Sequence, residues 1–355
     1  MKKILFVSIA NLYLCPYINK YISAIGDRAE YDIVYWDRHG VEEGDYGAKN
    51  VYVYRKDSKD FVSRAVKLVR QLSYCGFVAK LLRRKKYDGI ILLHTNAAIL
   101  LSGILLTKYK RRYIYDIRDY SFENNPVFYQ IEKQLIHNCA QCFISSDGFR
   151  KFLPDYDYHL VHNNAPIDPE FIQQFRQTHQ GHLPARISFV GMVRFFEQGK
   201  ALARCLGNDP RFRVNYFGKN ADLMHRHIGQ YDNHAYVDQF SPEKTLDYYQ
   251  ETDIINNIYG NNNPSVDYLC SNKLYYSTML GLPILVSPDT FMAEITQKYQ
   301  IGFVFDEKDP QIADKLYTYY TNIDWHKFYE KCDAFCRMVE EDDREFVKIV
   351  RDFVV

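Results

Sequence analysis

A lysine stands in the first turn of a predicted helix that follows a polar, turn-rich loop. Ser271 or Asn272 is a good N-cap for this helix, apolar residues follow at helical spacing, and Gly281 and Pro283 end it. The first backbone N–H groups of a helix have no helical partner and lie at the positive end of the helix dipole. Lys273 opposes that dipole, so a bound phosphate explains its position better than helix stability does.

Two further cations follow a second predicted strand and its turn. Residues 187–190 are predicted to form a buried strand, Gly191 to make a tight turn, and Arg194 and Lys200 come after it. Two cations at a fixed separation suit a diphosphate, whose negative charge grows as its bond to a sugar breaks. Lys200 fits a solvated helix face equally well.

Charged residues also follow a predicted strand in the first half of the chain. Residues 113–115 are predicted to be a strand that ends in Asp116, Arg118 and Asp119. Ligands of open α/β sheets bind at the carboxyl ends of the strands. We therefore expect these three side chains at a ligand-binding edge.

The segment around Lys273 resembles the nucleotide-sugar-binding segment of GT-B glycosyltransferases, especially those of family 4, the bacterial capsule and exopolysaccharide type. The usual form of that segment is Pro-Asn-Lys-Leu-Phe-Glu-Tyr-Met-Ala-x-Gly-x-Pro. The matching positions in this sequence are Asn272, Lys273, Leu274, Tyr275, Gly281 and Pro283, with Ser271 in place of the first proline. The resemblance rests on the order and spacing of short motifs over essentially the whole chain.

The resemblance implies a role for each candidate residue. Arg194 and Lys200 correspond to two cations that clamp the donor diphosphate, although Arg194 lies two residues later than usual. Tyr276 stands in place of a glutamate that holds the ribose of the nucleotide. Arg118 stands in place of a histidine that faces the donor sugar. Asp267 is a loose counterpart of a second glutamate of the family.

The resemblance thus defines two sets of site residues. The implied catalytic residues are Arg118, Asp119 and Asp267. The implied donor-binding and phosphate-binding residues are Gly191, Arg194, Lys200, Ser271, Asn272, Lys273 and Tyr276. No metal and no other cofactor is expected, because Arg194, Lys273 and the helix N-terminus would stabilise the departing nucleoside diphosphate.

The fold class is predicted to be α/β, with the GT-B arrangement of two Rossmann-like α/β/α domains that face a cleft. The domains are predicted over residues 1–168 and 186–330, with a polar linker over 169–185. A C-terminal helix over 331–355 is expected to cross back onto the first domain. The turn after the first strand lacks a Gly-x-Gly, so a dehydrogenase is disfavoured.

The positive charge is concentrated in the first half of the chain. Residues 1–165 hold 25 Lys and Arg against 17 Asp and Glu, whereas residues 166–355 hold 20 against 27. The predicted helical segment 60–86 carries eight basic residues and one acidic residue. Such a face is either solvated or rests on anionic lipid headgroups. Nucleic acid is a poorly supported partner, because the second half is acidic.

The cysteines and the hydropathy pattern favour a cytoplasmic protein. The eight cysteines form no disulfide framework, and no run approaches the ~18–20 apolar residues of a membrane span. Cys139 and Cys142 form a C-x-x-C without a second pair at zinc-ribbon spacing, so we expect them to pack in the core. The expected location is the cytoplasm, with the inner face of the cell membrane as a peripheral site.

The resemblance implies a sugar-nucleotide-dependent glycosyltransferase, retaining and metal-independent, that acts in surface polysaccharide biosynthesis. The implied acceptor is a glycan or a polyprenyl-diphosphate-linked glycan, bound by the basic, aromatic first domain. Two alternatives stay open. Tyr276 and Arg118 keep a catalytically silent partner subunit of another transferase under consideration. A sugar-nucleotide epimerase of the same fold would need acid and base residues that we do not place in the sequence.

Overall fold

The protein contains two parallel β-sheets that are flanked by helices. The computed structural model describes residues 1–56, 64–179, 181–229 and 231–355, with the backbone alone at positions 64, 65, 67 and 68. The chain divides into two compact units, which we call the first unit (residues 1–162 and 341–355) and the second unit (residues 163–340). Each unit holds one of the two sheets.

The first unit contains seven strands. They are β1 (Lys2–Ser8), β2 (Ala29–Asp37), β3 (Asn50–Arg55), β4 (Gly89–Leu92), β5 (Tyr113–Ile117), β6 (Gln141–Ile144) and β7 (His159–Leu160). Their order across the sheet is β3-β2-β1-β4-β5-β6-β7, and every neighbouring pair is parallel. This doubly wound order brings the loops after the strands to one edge of the sheet.

The second unit contains six strands. They are β8 (Ala185–Val190), β9 (Phe212–Phe217), β10 (His234–Val237), β11 (Ile254–Asn257), β12 (Ile284–Val286) and β13 (Gly302–Val304). Their order is β10-β9-β8-β11-β12-β13, again with parallel neighbours throughout. The predicted α/β class is confirmed in both units.

Helices connect the strands. In the first unit they are α1 (Ile18–Ile25), α2 (Arg64–Arg84), α3 (Thr95–Leu100), α4 (Ser102–Leu105) and α5 (Pro126–Asn138). The remaining helices are α6 (Pro169–Thr178), α7 (Phe196–Leu206), α8 (Ala221–Ile228), α9 (Thr245–Gln250), α10 (Pro264–Asp267), α11 (Asn272–Leu280), α12 (Phe291–Tyr299), α13 (Ile312–Thr321) and α14 (Trp325–Val354). Short 3₁₀ turns occur at Leu12–Leu14, Gly26–Arg28, Asp147–Lys151 and Pro242–Lys244.

The C-terminal end of α14 belongs to the core of the first unit. Phe346, Val350 and Val354 are buried there among side chains of β1, β2 and α1. The Phe346 ring packs edge-on against Tyr21 and Phe143, with ring centroids 4.8 and 5.0 Å away. The expected return of the C-terminal helix to the first unit is confirmed for residues 341–355, whereas residues 331–340 of the predicted segment belong to the second unit.

The segment predicted as a linker is instead a helix of the second unit. The Asp168 side chain caps α6 by accepting a hydrogen bond from the N–H of Glu170 at 2.9 Å. Arg176 donates to the carbonyls of Thr278 and Met279, at 2.9 and 3.1 Å. Residues 169–178 therefore pack within the second unit rather than spanning between domains.

Among the described apolar side chains of the predicted helical segment 60–86, the buried ones lie in the second half of α2. Tyr74 and Val78 are buried, whereas Val66, Val69 and Leu72 are 42, 65 and 52% exposed. The part of the predicted segment that falls on residues 60–63 lies outside the described residues. The first half of α2 thus presents apolar side chains to its surroundings.

The buried C-terminal segment generates a stability prediction. Phe346→Ala should lower the free energy of unfolding by about 3–5 kcal/mol, because it removes a buried ring from the core of the first unit. Urea unfolding followed by circular dichroism measures this change. Phe122→Ala is the matched control, since Phe122 is 58% exposed in the same unit. Equal losses in the two variants would contradict the packing of residues 341–355 described above.

Candidate functional site

The turns after β8 and β9 approach each other at the carboxyl edge of the second sheet. Gly191 and Gly218 have φ angles of 122° and 127°, which favour glycine. A Cβ added to Gly218 would lie 2.2 Å from the carbonyl oxygen of Gly191. The two glycines therefore allow the backbones of the two turns to approach each other at this edge, where ligands of open α/β sheets bind.

Lys273 brings a buried ammonium group to these turns. The residue is 8% exposed, and a Cβ added to Gly191 would lie 3.8 Å from its Nζ. Its Nζ donates to the Tyr259 hydroxyl at 3.1 Å and lies 4.1 Å from the centroid of the Phe189 ring. Among the described residues, no carboxylate pairs with this ammonium.

The N-terminus of α11 forms as predicted, with Ser271 as the N-cap. The Ser271 hydroxyl accepts a hydrogen bond from the N–H of Lys273 at 3.3 Å, and Gly281 ends the helix in the left-handed conformation. Asn272, the first residue of the helix, is exposed. The helix therefore directs the positive end of its dipole toward the carboxyl edge, beside Lys273.

Tyr259 connects the parts of this site. Its hydroxyl lies 3.2 Å from the Ser271 hydroxyl in addition to its contact with Lys273. Its ring stacks on Phe195, with centroids 4.0 Å apart and planes 16° apart. Sequence reasoning placed Tyr259 in a polar loop and gave it no role, because its partners are distant in the sequence.

Two buried oxygen atoms nearby lack hydrogen-bond partners among the described residues. They are Oδ1 of Asn257, at the end of β11, and Oδ1 of Asp267, at the end of α10. Burial raises the pKa of Asp267 above the usual value for an aspartate. Unpartnered buried acceptors are costly, so a ligand that donates hydrogen bonds would be favoured here. Of the two, only Asp267 was a sequence candidate.

The structure places the two cations of the predicted diphosphate clamp in different surroundings. Arg194 is exposed, with its guanidinium 5.6 Å from the centroid of the Phe195 ring, and no described carboxylate pairs with it. Lys200, on α7, instead pairs with Glu197, whose Oε1 lies 2.9 Å from its Nζ. Arg194 therefore carries a charge that no described carboxylate neutralises, and Lys200 adopts the solvated helix position that its spacing also fitted.

Tyr276 lies one turn after Lys273 on α11. Its ring is half-buried and stacks on Tyr249, with centroids 4.8 Å apart. Burial raises the pKa of its hydroxyl, so the group is a neutral hydrogen-bond donor and acceptor at neutral pH. No described residue hydrogen-bonds to that hydroxyl.

In the first unit, the Arg118 side chain is largely buried and pairs with Asp116. Its Nε and Nη2 lie 2.7 Å from the two carboxylate oxygens of Asp116, and its guanidinium lies 3.8 Å from the centroid of the Tyr17 ring. Its side chain is only 7% exposed. Asp116 also accepts a hydrogen bond from Tyr21 at 2.8 Å. This geometry gives Arg118 a structural partner, whereas Asp119 is exposed.

A histidine that sequence reasoning passed over lies at the carboxyl edge of the first sheet. His94 follows β4, and its Nε2 lies 3.5 Å from the Cys15 sulfur. Its Nδ1 is buried without a partner among the described residues. Burial lowers the pKa of His94 to about 3, and the charges of Arg38 and Arg118 add to this effect. The imidazole is therefore neutral at physiological pH.

Comparison with known proteins supports the fold. No protein-family model matches the sequence, and no curated protein sequence matches it. The solved structure of sucrose-phosphate synthase from Thermosynechococcus elongatus is similar over 100% of this chain and 96% of its own, with 10% identity and a TM-score of 0.66. A glycosyltransferase from Rickettsia africae is similar over 99% of both chains, with 10% identity and a TM-score of 0.63.

A third similar structure contains ligands. HepE from Anabaena, in complex with UDP and glucose, is similar over 98% of this chain and 99% of its own, with 13% identity and a TM-score of 0.64. At such identities the likeness shows the fold alone. Together with the two parallel sheets, these full-length similarities show that the protein has the GT-B fold.

The approach of the two glycine turns generates a prediction. Gly218→Ala should destabilise the second unit by more than the ~1–3 kcal/mol expected for a strained backbone conformation alone, because its Cβ would also overlap the Gly191 carbonyl. Gly229→Ala is the matched control, since Gly229 also has a positive φ, 87°, but no atom within 4 Å of an added Cβ. Thermal unfolding compares the two variants. If Gly218→Ala lowers the unfolding temperature no more than Gly229→Ala does, the close approach of Gly218 to the Gly191 carbonyl is contradicted.

Proposed function

We propose that the protein is a glycosyltransferase that binds the diphosphate of a nucleotide sugar at Lys273. The observation that supports this proposal most strongly is the buried ammonium without a carboxylate partner. Burying a charge costs several kcal/mol unless another charge or several hydrogen bonds compensate for it. A single tyrosine hydroxyl and an aromatic face compensate only in part. A bound anion would supply the missing negative charge.

A diphosphate fits the arrangement of positive charge better than a single carboxylate does. Lys273, the N-terminus of α11 and the exposed guanidinium of Arg194 together offer three sources of positive potential. When the bond between sugar and diphosphate breaks, negative charge grows on the leaving oxygen. Cations fixed at that position stabilise the transition state more than the ground state, and this difference lowers the activation barrier.

The finer features of the reaction follow from the family resemblance and belong to the proposal. The reaction would be retaining and would need no metal, since Lys273, Arg194 and the α11 N-terminus would stabilise the departing nucleoside diphosphate. The Tyr276 hydroxyl would contact the ribose in place of a glutamate. Asp267 would accept hydrogen bonds from the donor through its unpartnered oxygen. Arg118 would act indirectly, by holding Asp116 and the strand end in place.

A catalytically silent partner subunit is the second candidate function. The Tyr276 ring packs into the apolar core beside Tyr249, a position that stabilises the fold without any ligand. If Tyr276 has only this packing role, the nucleotide would lack its ribose contact. Binding of nucleoside diphosphates separates the two functions, because only the enzyme requires it.

The proposed acceptor is a glycan or lipid-linked glycan of surface polysaccharide biosynthesis, reached from the cytoplasmic face of the membrane. Among the described residues, no helix is both long and apolar enough to cross a bilayer. Peripheral binding would use α2, where exposed Val66, Val69 and Leu72 lie on the same helix as exposed Lys80, Arg83 and Arg84. Apolar and basic side chains together are typical of helices that lie at a lipid interface.

The direction of α2 refines this membrane proposal. Because α2 connects the parallel strands β3 and β4, its apolar first half begins at the carboxyl edge of the sheet and its basic end lies at the amino edge. The Lys108 Nζ donates to the carbonyl of Leu82 at 2.5 Å, which joins the basic cluster 108–112 to the end of α2. The basic cluster therefore lies away from the carboxyl edge, and α2 would rest on the membrane along its length.

The buried ammonium leads to a paired prediction of binding and stability. Lys273→Met should weaken binding of the preferred nucleoside diphosphate by roughly 30- to 150-fold, the equivalent of ~2–3 kcal/mol, because it removes a charge-assisted contact. It should leave the free energy of unfolding unchanged or raise it, since it removes an uncompensated buried charge. Calorimetry with UDP, GDP, ADP and CDP, together with urea unfolding, measures both effects.

Lys298→Met is the matched control for this experiment. Lys298 is an exposed lysine in the last turn of α12, at the opposite edge of the same sheet, so its replacement should alter neither quantity. Arg194→Ala should weaken binding in the same direction as Lys273→Met. Failure of the unmodified protein to bind any of the four nucleotides would reject the enzyme and favour the silent partner.

Membrane binding gives a separate prediction. Vesicles that contain phosphatidylglycerol should retain the protein at low salt and release it at high salt, where the screening length falls to ~3 Å at 1 M. Changing Arg83, Arg84 and Lys86 to Glu should abolish retention. The control changes the exposed residues Lys298, Lys308 and Lys327 of the second unit to Glu, which alters the net charge equally. Equal flotation of both variants would reject α2 as the membrane-binding element.

A further inference from the structure

The geometry points to a site for a zinc-like divalent metal ion at the amino edge of the second sheet, formed by His179, His182 and Asp253. The His179 Nε2 and the His182 Nδ1 lie 3.0 and 2.9 Å from the same carboxylate oxygen, Oδ1 of Asp253. All three atoms lie within 4.8 Å of one another. We propose that a metal ion binds between them.

The ligand types favour zinc over the hard cations. Zinc is bound by imidazole nitrogens at about 2.0–2.1 Å and by carboxylate oxygens at about 2.0–2.2 Å. Tetrahedral ligands at those distances lie about 3.3 Å apart. The two contacts to Oδ1 of Asp253 need to widen by a few tenths of an ångström, and the two imidazole nitrogens lie within 4.8 Å of each other. Calcium and magnesium prefer oxygen ligands, and two imidazoles would exclude them.

Neighbouring contacts hold the proposed ligands in position. His179 stacks on Phe175, with ring centroids 4.6 Å and planes 14° apart, and its carbonyl accepts a hydrogen bond from the Tyr329 hydroxyl at 3.2 Å. The second carboxylate oxygen of Asp253 accepts hydrogen bonds from the N–H and the Nε of Arg186, at 2.8 and 2.7 Å. These contacts hold the His179 ring and the Asp253 carboxylate in their orientations.

Arg186 is also the competitor of the metal ion. Its Nη2 lies 2.8 Å from Oδ1 of Asp253, the oxygen that would bind the metal, and 3.1 Å from the His182 Nδ1. Its side chain is 25% exposed, so Nη2 has room to leave while the contacts to the other oxygen stay. Because the guanidinium charge remains close, the site would bind zinc less tightly than a site with four protein ligands.

His179 and His182 line a cavity of about 370 Å³, which would hold the remaining coordination position. Its polar lining includes Gln174, Thr178 and Gln250, which suits a metal-bound water or a small anion. The site lies where β8 and β11 begin, whereas Lys273 lies at the carboxyl edge of the same sheet. The metal would therefore tie the end of α6 to the start of β11 without contacting the proposed donor site.

Zinc titration of the chelator-treated, untagged full-length protein tests the proposal. Competition with a chromophoric chelator should show one equivalent of Zn²⁺ bound, a higher unfolding temperature with Zn²⁺, and no such shift with Mg²⁺. His179→Ala combined with His182→Ala should weaken this binding at least 100-fold. Removing the exposed residues His227 and His326 of the same unit is the matched control and should change nothing.

A variant with one exposed histidine replaced separates loss of zinc binding from loss of folding. The His182 side chain is 50% exposed, so His182→Ala should fold and still bind zinc at least tenfold more weakly than the unmodified protein. Equal zinc affinity in the unmodified protein and in the variants, or no saturable binding, would overturn the proposal. In that case Asp253 serves only as a hydrogen-bond acceptor for Arg186 and the two histidines. Nucleotide affinity should not depend on the chelator, so the result is independent of the proposed transferase function.

Discussion

The burial of the Lys273 ammonium is the interaction on which the proposed site depends. A lysine in the first turn of a helix opposes the helix dipole, and burial removes most of its hydration. Both effects work against folding, and no described carboxylate relieves them. The protein nevertheless directs this side chain to the turn at Gly191. The proposed diphosphate would supply the negative charge that this position lacks.

The surrounding structure is arranged so that this charge stays in place. Tyr259 holds the ammonium and the helix cap together, and its stacking on Phe195 links them to the segment that carries Arg194. The glycine turns after β8 and β9 bring the two backbone segments close together beside Lys273. These contacts position the ammonium before any ligand binds, and preorganisation of this kind lowers the entropy cost of binding.

The sequence predicts the elements of this site better than their partners. Continuous apolar runs predict the strands, and the cap at Ser271 with Gly281 predicts α11 correctly, because these signals are local. Asp168 and Pro169 form an equally local start signal for α6, which the polar composition of that segment concealed. The predicted linker was wrong for that reason.

Contacts between distant residues could not be predicted in the same way. Arg118 follows a strand end, as expected, but its stacking on Tyr17 joins residues about a hundred positions apart in the chain. The role of Tyr259 likewise arises only when β11 and α11 are adjacent. Lys200 differs from these cases, since Glu197 lies three residues before it and the pairing was visible in the sequence.

A crystal structure of the protein with bound UDP tests the proposed donor site most directly. We expect diphosphate oxygens within hydrogen-bonding distance of the Lys273 Nζ and of the first N–H groups of α11, with the ribose toward Tyr276. The proposed site would be contradicted by UDP bound elsewhere on the chain while the Lys273 ammonium keeps only Tyr259 as its partner.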